Sequence, residues 1–250
     1  MKYPEITKLY KYREYSERNV RMVAKKEAWF AIPDTFNDPF DCNMIPFGSK
    51  TPEDAQYQLF SVIDRLYEPA EAEQKKMQHL MSFNENINIE DNSLQKHFDE
   101  SKSIGVYSLS EDPKQLLMWA HYASNHTGFY VEYAREPNPL NILSHVMCRP
   151  VDYCLDYPNL YRETDLTSVN LFTKSEDWKY EKEWRIVSRQ GNRVEDILVP
   201  PVTGIIFGLK MPNEHREFIF ETLKHDNNIR FYECVRVPNK FALDLVEIDL

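Results

Sequence analysis

Glu181 and Glu183 stand two apart in WKYEKEWR (178–185), a run in which charged residues alternate with Trp and Tyr. If the run is extended, both carboxylates share one strand face. If it is helical, Glu181 instead forms an i,i+4 pair with Arg185. The β-branched and aromatic character of WRIV favours the extended form. Three other segments mix the same residue types: LYKYR (9–13) with Tyr10 and Arg13, FNDPFD (36–41) with Asn37, Asp38 and Asp41, and MWAHYASNHTGF (118–129) with Trp119, His121 and Tyr122. A buried polar group needs a partner, so cores rarely place His, Arg, Trp and Glu in one short run. The four segments therefore read as the lining of a partly buried site or as a buried ion-pair network. Asp38 and Asp41 meeting Glu181 and Glu183 would form a four-carboxylate, Mg²⁺-dependent nuclease site. The oxygens of Asn37, Asp38 and Asp41 are also what a turn uses to cap itself. His121 is either a proton-transfer group or a core-edge residue. Pairs such as Glu183–Arg185 and Arg13 with a Glu would make the network structural. Glu183→Gln would then unfold the protein, whereas loss of a catalytic carboxylate would spare the fold.

The elements that must position these residues follow from the pattern. Strands are expected at 8–12, 27–32, 104–109, 128–133, 183–188, 197–199 and 204–207, with a strand broken at Pro150 over 145–153. Helices are expected at 15–26 and 213–225, and part of 155–174 is helical. Asp112 reads as an N-cap and Pro113 as the first residue of the helix LLMWAHYA. The region 51–102 is helical, interrupted by a polar loop at 84–92. IRFYECVRV and FALDLVEI read as a C-terminal hairpin. No Pro/Ser/Gly linker divides the chain, so residues 1–250 are read as one α+β domain carrying a helical insertion at about 51–102.

Composition narrows the function. Six glycines and no GxGxxG or GxxxxGK[ST] leave no phosphate-cradling glycine loop. The formal charge of −10 argues against a uniformly basic nucleic-acid surface. Cys42, Cys148, Cys154 and Cys234 form no CxxC pair and have no His at zinc spacing, so no metal is expected. Sparse cysteines, no signal-like N-terminus and no long apolar run place the chain in the cytoplasm, away from membranes.

The four segments, in this order, resemble the bacterial domain-of-unknown-function family 2971, from Leu9 to about Gly208. A second similarity is to the ADP-ribosyltransferase superfamily. One of its branches carries an Arg on the first strand, a Ser-x-Ser strand and a late Glu-x-Glu. Here Arg13, Ser108-Leu109-Ser110 and Glu181-Lys182-Glu183 match. That resemblance implies a split mixed or antiparallel sheet around a cleft, and NAD as the substrate. Glu183 would stabilise an oxocarbenium-like ribose and Glu181 would orient or deprotonate the acceptor. Arg13 would bind pyrophosphate or ribose, Ser108 and Ser110 would donate to the ribose, and Trp119 or Tyr122 would stack on nicotinamide, with Tyr10 nearby. His121 would complete the catalytic set. The acceptor would be water, a nucleic acid or a protein, and the biological role that of a bacterial toxin or phage-defence effector. A non-catalytic ligand-binding or interaction module remains the alternative outside enzymes.

Overall fold

The computed structural model describes residues 2–45, 50–82, 98–99, 101–163, 165–196 and 201–249. The polar loop expected at 84–92 and the strand expected at 197–199 lie outside these residues. The described strands are β1 (Lys8–Arg13), β2 (Glu27–Phe30), β3 (Gly105–Ser110), β4 (Phe129–Ala134), β5 (Cys148–Pro150), β6 (Asp152–Cys154), β7 (Thr173–Ser175), β8 (Glu183–Ser188), β9 (Arg193–Asp196), β10 (Val202–Phe207), β11 (Arg230–Arg236) and β12 (Leu243–Glu247). The helices are α1 (Glu17–Ala24), α2 (Pro52–Leu66), α3 (Pro69–Ser82), α4 (Leu116–Tyr122), α5 (Leu166–Phe172) and α6 (Asn213–Leu223). The α+β class is as expected.

The main sheet runs β12-β11-β10-β4-β1-β3-β8-β5, and β2-β9 and β6-β7 form two smaller sheets. Only β10 and β11 run parallel within the main sheet, and α6 supplies the crossover between them. β11 and β12 pair antiparallel, as the C-terminal hairpin requires. Strand β4 lies centrally, and all six of its residues are buried. One face of the sheet packs Leu9, Phe129, Val131, Ile205 and Trp184 against Val20, Val23 and Ile219 from α1 and α6. The other packs Tyr12, Tyr130 and Ile206 against Met118 and Trp119 of α4. Alternate residues of one strand thus serve two cores.

The sheet has a seam. β1 holds β4 through six registered pairs, and β3 holds β8 through six. Between β1 and β3 there is one pair, Tyr10 with Ser110. Farther along, β3 bridges to Ala31 beyond β2 instead, through Val106. The edge of β3 is therefore shared by two strands, and Ser108 falls in the gap. Its carbonyl accepts from the Lys11 side chain at 2.7 Å, which replaces a ladder bond. The eight strands form one sheet by hydrogen bonding, but they part at this point, and a cleft opens there.

One local expectation is corrected. Helix α4 begins at Leu116, capped by Gln115. Asp112 closes a turn instead, accepting from the Lys114 N–H at 2.9 Å, while its own N–H donates to Ser110 Oγ at 3.1 Å. Asp-Pro signals a turn as readily as a helix start, and here the strand end at Ser110 decides between them. The segment around Pro150 forms two short strands in different sheets, with Pro150 on the edge strand β5, where a missing donor is tolerated. In the insertion, Thr51 and Asp54 form a capping box at the start of α2. Asp54 also accepts from Arg162 at 2.8 Å and from Asn159 at 3.1 Å, which ties the insertion to the body.

Gly128 ends the turn after α4 and presses against β1: a Cβ there would lie 2.2 Å from the Arg13 carbonyl oxygen. Gly128→Ala is expected to destabilise the protein by about 1–3 kcal/mol, as overpacking does. Denaturant unfolding of wild type and variant side by side measures it, and an unchanged midpoint would refute the close approach.

Candidate active site

Arg185 sits fully buried on β8, and its five N–H donors all find acceptors. Nε donates to Glu183 Oε1 at 2.8 Å. One terminal nitrogen donates to Asp41 Oδ2 at 2.7 Å and Glu183 Oε2 at 2.8 Å. The other donates to the Leu171 carbonyl at 2.7 Å and Cys42 Sγ at 2.9 Å. One guanidinium thereby joins β8, the FNDPFD loop and the end of α5. Lys174, on β7, faces the same carboxylates: its Nζ lies 2.6 Å from Glu181, 3.1 Å from Glu183 and 3.3 Å from Asp41. Three carboxylates against two cations leave one net negative charge. All five side chains are buried.

Glu181 and Glu183 meet at Lys174 by a route the sequence did not suggest. The pair was expected on one strand face. Instead Glu181 ends a 3-10 turn (Glu176–Glu181), Lys182 takes a left-handed conformation with φ 44°, and Glu183 opens β8. The left-handed residue reverses the chain just enough to aim both carboxylates at one ammonium. Tyr122, from α4, donates its hydroxyl to Glu181 Oε1 at 2.6 Å and accepts from Asn37 at 3.3 Å. The two acids have opposite electrostatics. Burial raises the Glu181 carboxyl above its ordinary value, outweighing the pull of Lys174. Glu183 is also buried, but Arg185 and Lys174 together hold it well below the usual carboxylate range. Environments that push two acids apart in this way also divide acid–base roles between them. Tyr122 itself, desolvated and beside Glu181, stays protonated.

The cluster forms one wall of the cleft at the β1–β3 seam, a space of ≈ 690 Å³. Tyr10, Arg13, Ser108, Ser110, His121, Tyr122, Glu181 and Glu183 all border it, so the structure brings together eight of the nine residues expected there. The Ser108 hydroxyl also bonds Glu183. Arg13 is buried and makes no ion pair among the described residues; the expected Arg13–Glu pair is absent there. Its donors reach Tyr107 Oη at 3.2 Å and Asn19 Oδ1 at 3.5 Å, and its Nε has no acceptor. His121 is exposed at the mouth, 6.5 Å from the Tyr180 ring, centroid to centroid.

One expected contact is corrected. Trp119 is fully buried, stacked near His126 and edge-on to Tyr12, with its indole N–H on the Pro113 carbonyl. It packs into the core between α4 and the sheet and does not line the cleft. Ser110 borders the cleft, and its hydroxyl donates to the Glu181 carbonyl at 2.6 Å. Tyr10 borders the cleft, but its hydroxyl is engaged by Glu132. Sequence reasoning missed Lys174, which lies outside the four segments, and Lys11, whose signal was a lysine between two tyrosines on the strand that carries Arg13.

Among the described residues no group of His, Cys, Asp and Glu is arranged to hold a metal. Asp41, Glu181 and Glu183 do converge, as the nuclease reading asks, but the ammonium of Lys174 sits at their common point. Asp38 turns away and accepts from the Phe40 N–H at 2.9 Å.

Two outcomes follow. Arg185→Met leaves Glu183 and Asp41 without their main partner, and is expected to cost about 3–5 kcal/mol, as breaking a buried pair does; retention of full stability in denaturant unfolding would contradict the cluster. The Glu183 carboxyl is depressed in the folded state. Its contribution is therefore complete above the unfolded value, ~4.3, and is lost as pH falls below it. The stability difference between wild type and Glu183→Gln should be constant at neutral pH and shrink below about pH 4.3. A difference that grows with acid would reverse the assignment.

Residues 118–186 match the model of a family described as a protein of unknown function (DUF2971). The match spans two of the four segments and carries Tyr122, Lys174, Glu181, Glu183 and Arg185, while Arg13 and Asp41 lie outside it. No curated protein and no solved structure matches the chain.

Proposed function

We propose that the cleft binds NAD and breaks its nicotinamide–ribose bond, in the manner of an ADP-ribosyltransferase, with an acceptor or water taking the ADP-ribose. The observation that carries this reading is the pairing of two carboxylates with divergent electrostatics and an arginine without a counter-ion across one cleft. The C1′–N bond breaks with its electron pair leaving on nicotinamide, and the ribose passes through an oxocarbenium-like state. The negatively charged wall around Glu183 favours that cation. Glu181, whose raised carboxyl is suited to proton transfer, receives the proton of the attacking hydroxyl or water. Arg13, with its neutral partners, takes the pyrophosphate charge through its forked donors. Tyr122 and Ser108 hold the two carboxylates in place. A role in toxicity or phage defence belongs to the same proposal, as does the choice of acceptor.

A metal-dependent nuclease has less support, because Lys174 fills the point where the carboxylates meet. A binding module without turnover is favoured by one observation, the complete ion pairing of Glu183.

Glu183→Gln does not separate these readings, because its charge holds Arg185. Glu181→Gln does, since Asp41 and Glu183 still balance Lys174 and Arg185. Purified protein is incubated with NAD, alone and with DNA, RNA or lysate, and free nicotinamide is followed. Release is expected from the wild type, and Glu181→Gln, with its melting temperature within a few degrees, should lower kcat by about 10²–10⁴-fold. Absence of release in every mixture, from folded protein, would overturn the transferase reading and leave the binding module.

A further inference from the structure

Lys11 is the one lysine among the cleft-lining residues that the charge cluster does not use. It projects from β1 into the seam, where one N–H is fixed on the Ser108 carbonyl and the Nζ lies 4.7 Å from the Tyr107 ring centroid. Among the described residues it makes no ion pair. Arg13, two residues on, borders the same cleft and also lacks a carboxylate partner. Two cations side by side in a partly desolvated cleft, with no anion between them, are unfavourable unless one gives up its proton or a ligand brings the anion. An arginine does not deprotonate, so the amine must be the one that yields.

We propose that Lys11 and Arg13 form a covalent capture site for small anionic carbonyl compounds: Arg13 holds the phosphate or carboxylate, and the Lys11 amine condenses with the aldehyde or ketone carbon.

Desolvation and a cationic neighbour are the two devices by which a lysine becomes nucleophilic. Here burial brings the amine down to about 7, Arg13 adds to the effect, and Glu183 and Glu181 oppose it. The uncharged amine is thereby more accessible near neutral pH than in an ordinary lysine, whose value lies near ~10.4. The step balances without any redox partner. The nitrogen lone pair attacks the carbonyl carbon, and the oxygen takes up a proton as nitrogen loses one. The carbinolamine then expels water to leave an imine. Glu181, which lines the same cleft and has a raised carboxyl, is placed to carry those protons. The proposal does not depend on NAD cleavage, although ring-opened ADP-ribose would itself be an anionic aldehyde of this class.

The test uses pyridoxal 5′-phosphate as an anionic aldehyde and pyridoxal as its uncharged control, each trapped with borohydride at pH 7 and mapped by peptide mass spectrometry. Exposed Lys8 and Lys114 serve as internal standards. The expected result is labelling of Lys11 at least tenfold faster than of either standard. The phosphorylated probe should be preferred at Lys11, and its rate should level off between pH 7 and 8. Arg13→Lys, checked for folding by circular dichroism, should reduce the preference for phosphate. Labelling of Lys11 no faster than the surface lysines would overturn the proposal. So would equal labelling by the two probes in the wild type, a comparison that needs no variant to fold. Nicotinamide release is measured separately, so its failure leaves this result readable.

Discussion

A guanidinium with every donor satisfied organises this protein. Arg185 is buried at the centre of β8, and its five contacts fix one strand, one loop and one helix end with respect to each other. An arginine so placed would be very costly without anions, and anions so placed would be costly without it. Asp41 and Glu183 answer it, Lys174 answers them, and Glu181 completes the set. Each member is acceptable in the interior only because the others are there. The loop with no regular structure, FNDPFD, is thereby as firmly located as a strand. A hydrophobic core of similar volume could hold the same elements together, but it could not present two carboxylates of opposite electrostatics to a cleft.

The seam between β1 and β3 is the second constraint, and it follows from strand pairing rather than from the charges. An antiparallel neighbour that binds through one residue pair leaves backbone groups to be satisfied by other means. Ala31 takes one position of the β3 edge, and the Lys11 side chain takes the carbonyl of Ser108. The cleft is the space left by that divergence. It lies between the core face covered by α4 and the one covered by α1 and α6, which explains why residues from β1, β3, α4 and the 3-10 turn before β8 can all reach it.

Much of this was legible in the chain. Alternation placed β1, β3, β4, β8 and β10 within a residue or two, because each feeds side chains to two cores and the apolar pattern records both. The segments that mix aromatics with charges do come together in space: Arg13, Ser108, His121, Tyr122, Glu181 and Glu183 border one cleft. The failures have specific causes. Trp119 lies in the core because an aromatic beside a polar run has the same local pattern on either face of its helix, and the docking of α4 on the sheet decides which face it takes. Glu181 and Glu183 do converge, but through a left-handed lysine that no propensity favours. Lys174 could not be found at all, since its partners are set by the docking of β7, a contact that local pattern does not encode.

The charges of the cleft have a direction. The five-member cluster carries one net negative charge, while Lys11 and Arg13, which line the same cleft, make no ion pair among the described residues. A ligand that matches both groups has an anionic part and a centre that becomes positive. A sugar phosphate losing its leaving group from the anomeric carbon has that polarity, and a nucleic acid, anionic throughout, does not. The asymmetry also bears on why Glu183 is so fully paired. A carboxylate with every oxygen engaged is a poor base and a poor nucleophile, but its charge is fixed in place before any ligand arrives and needs no reorganisation when a cation develops nearby. In the proposed reaction, proton transfer then falls to Glu181, the group whose carboxyl burial raises. The division of labour between two acids in one short segment rests on which of them Arg185 holds.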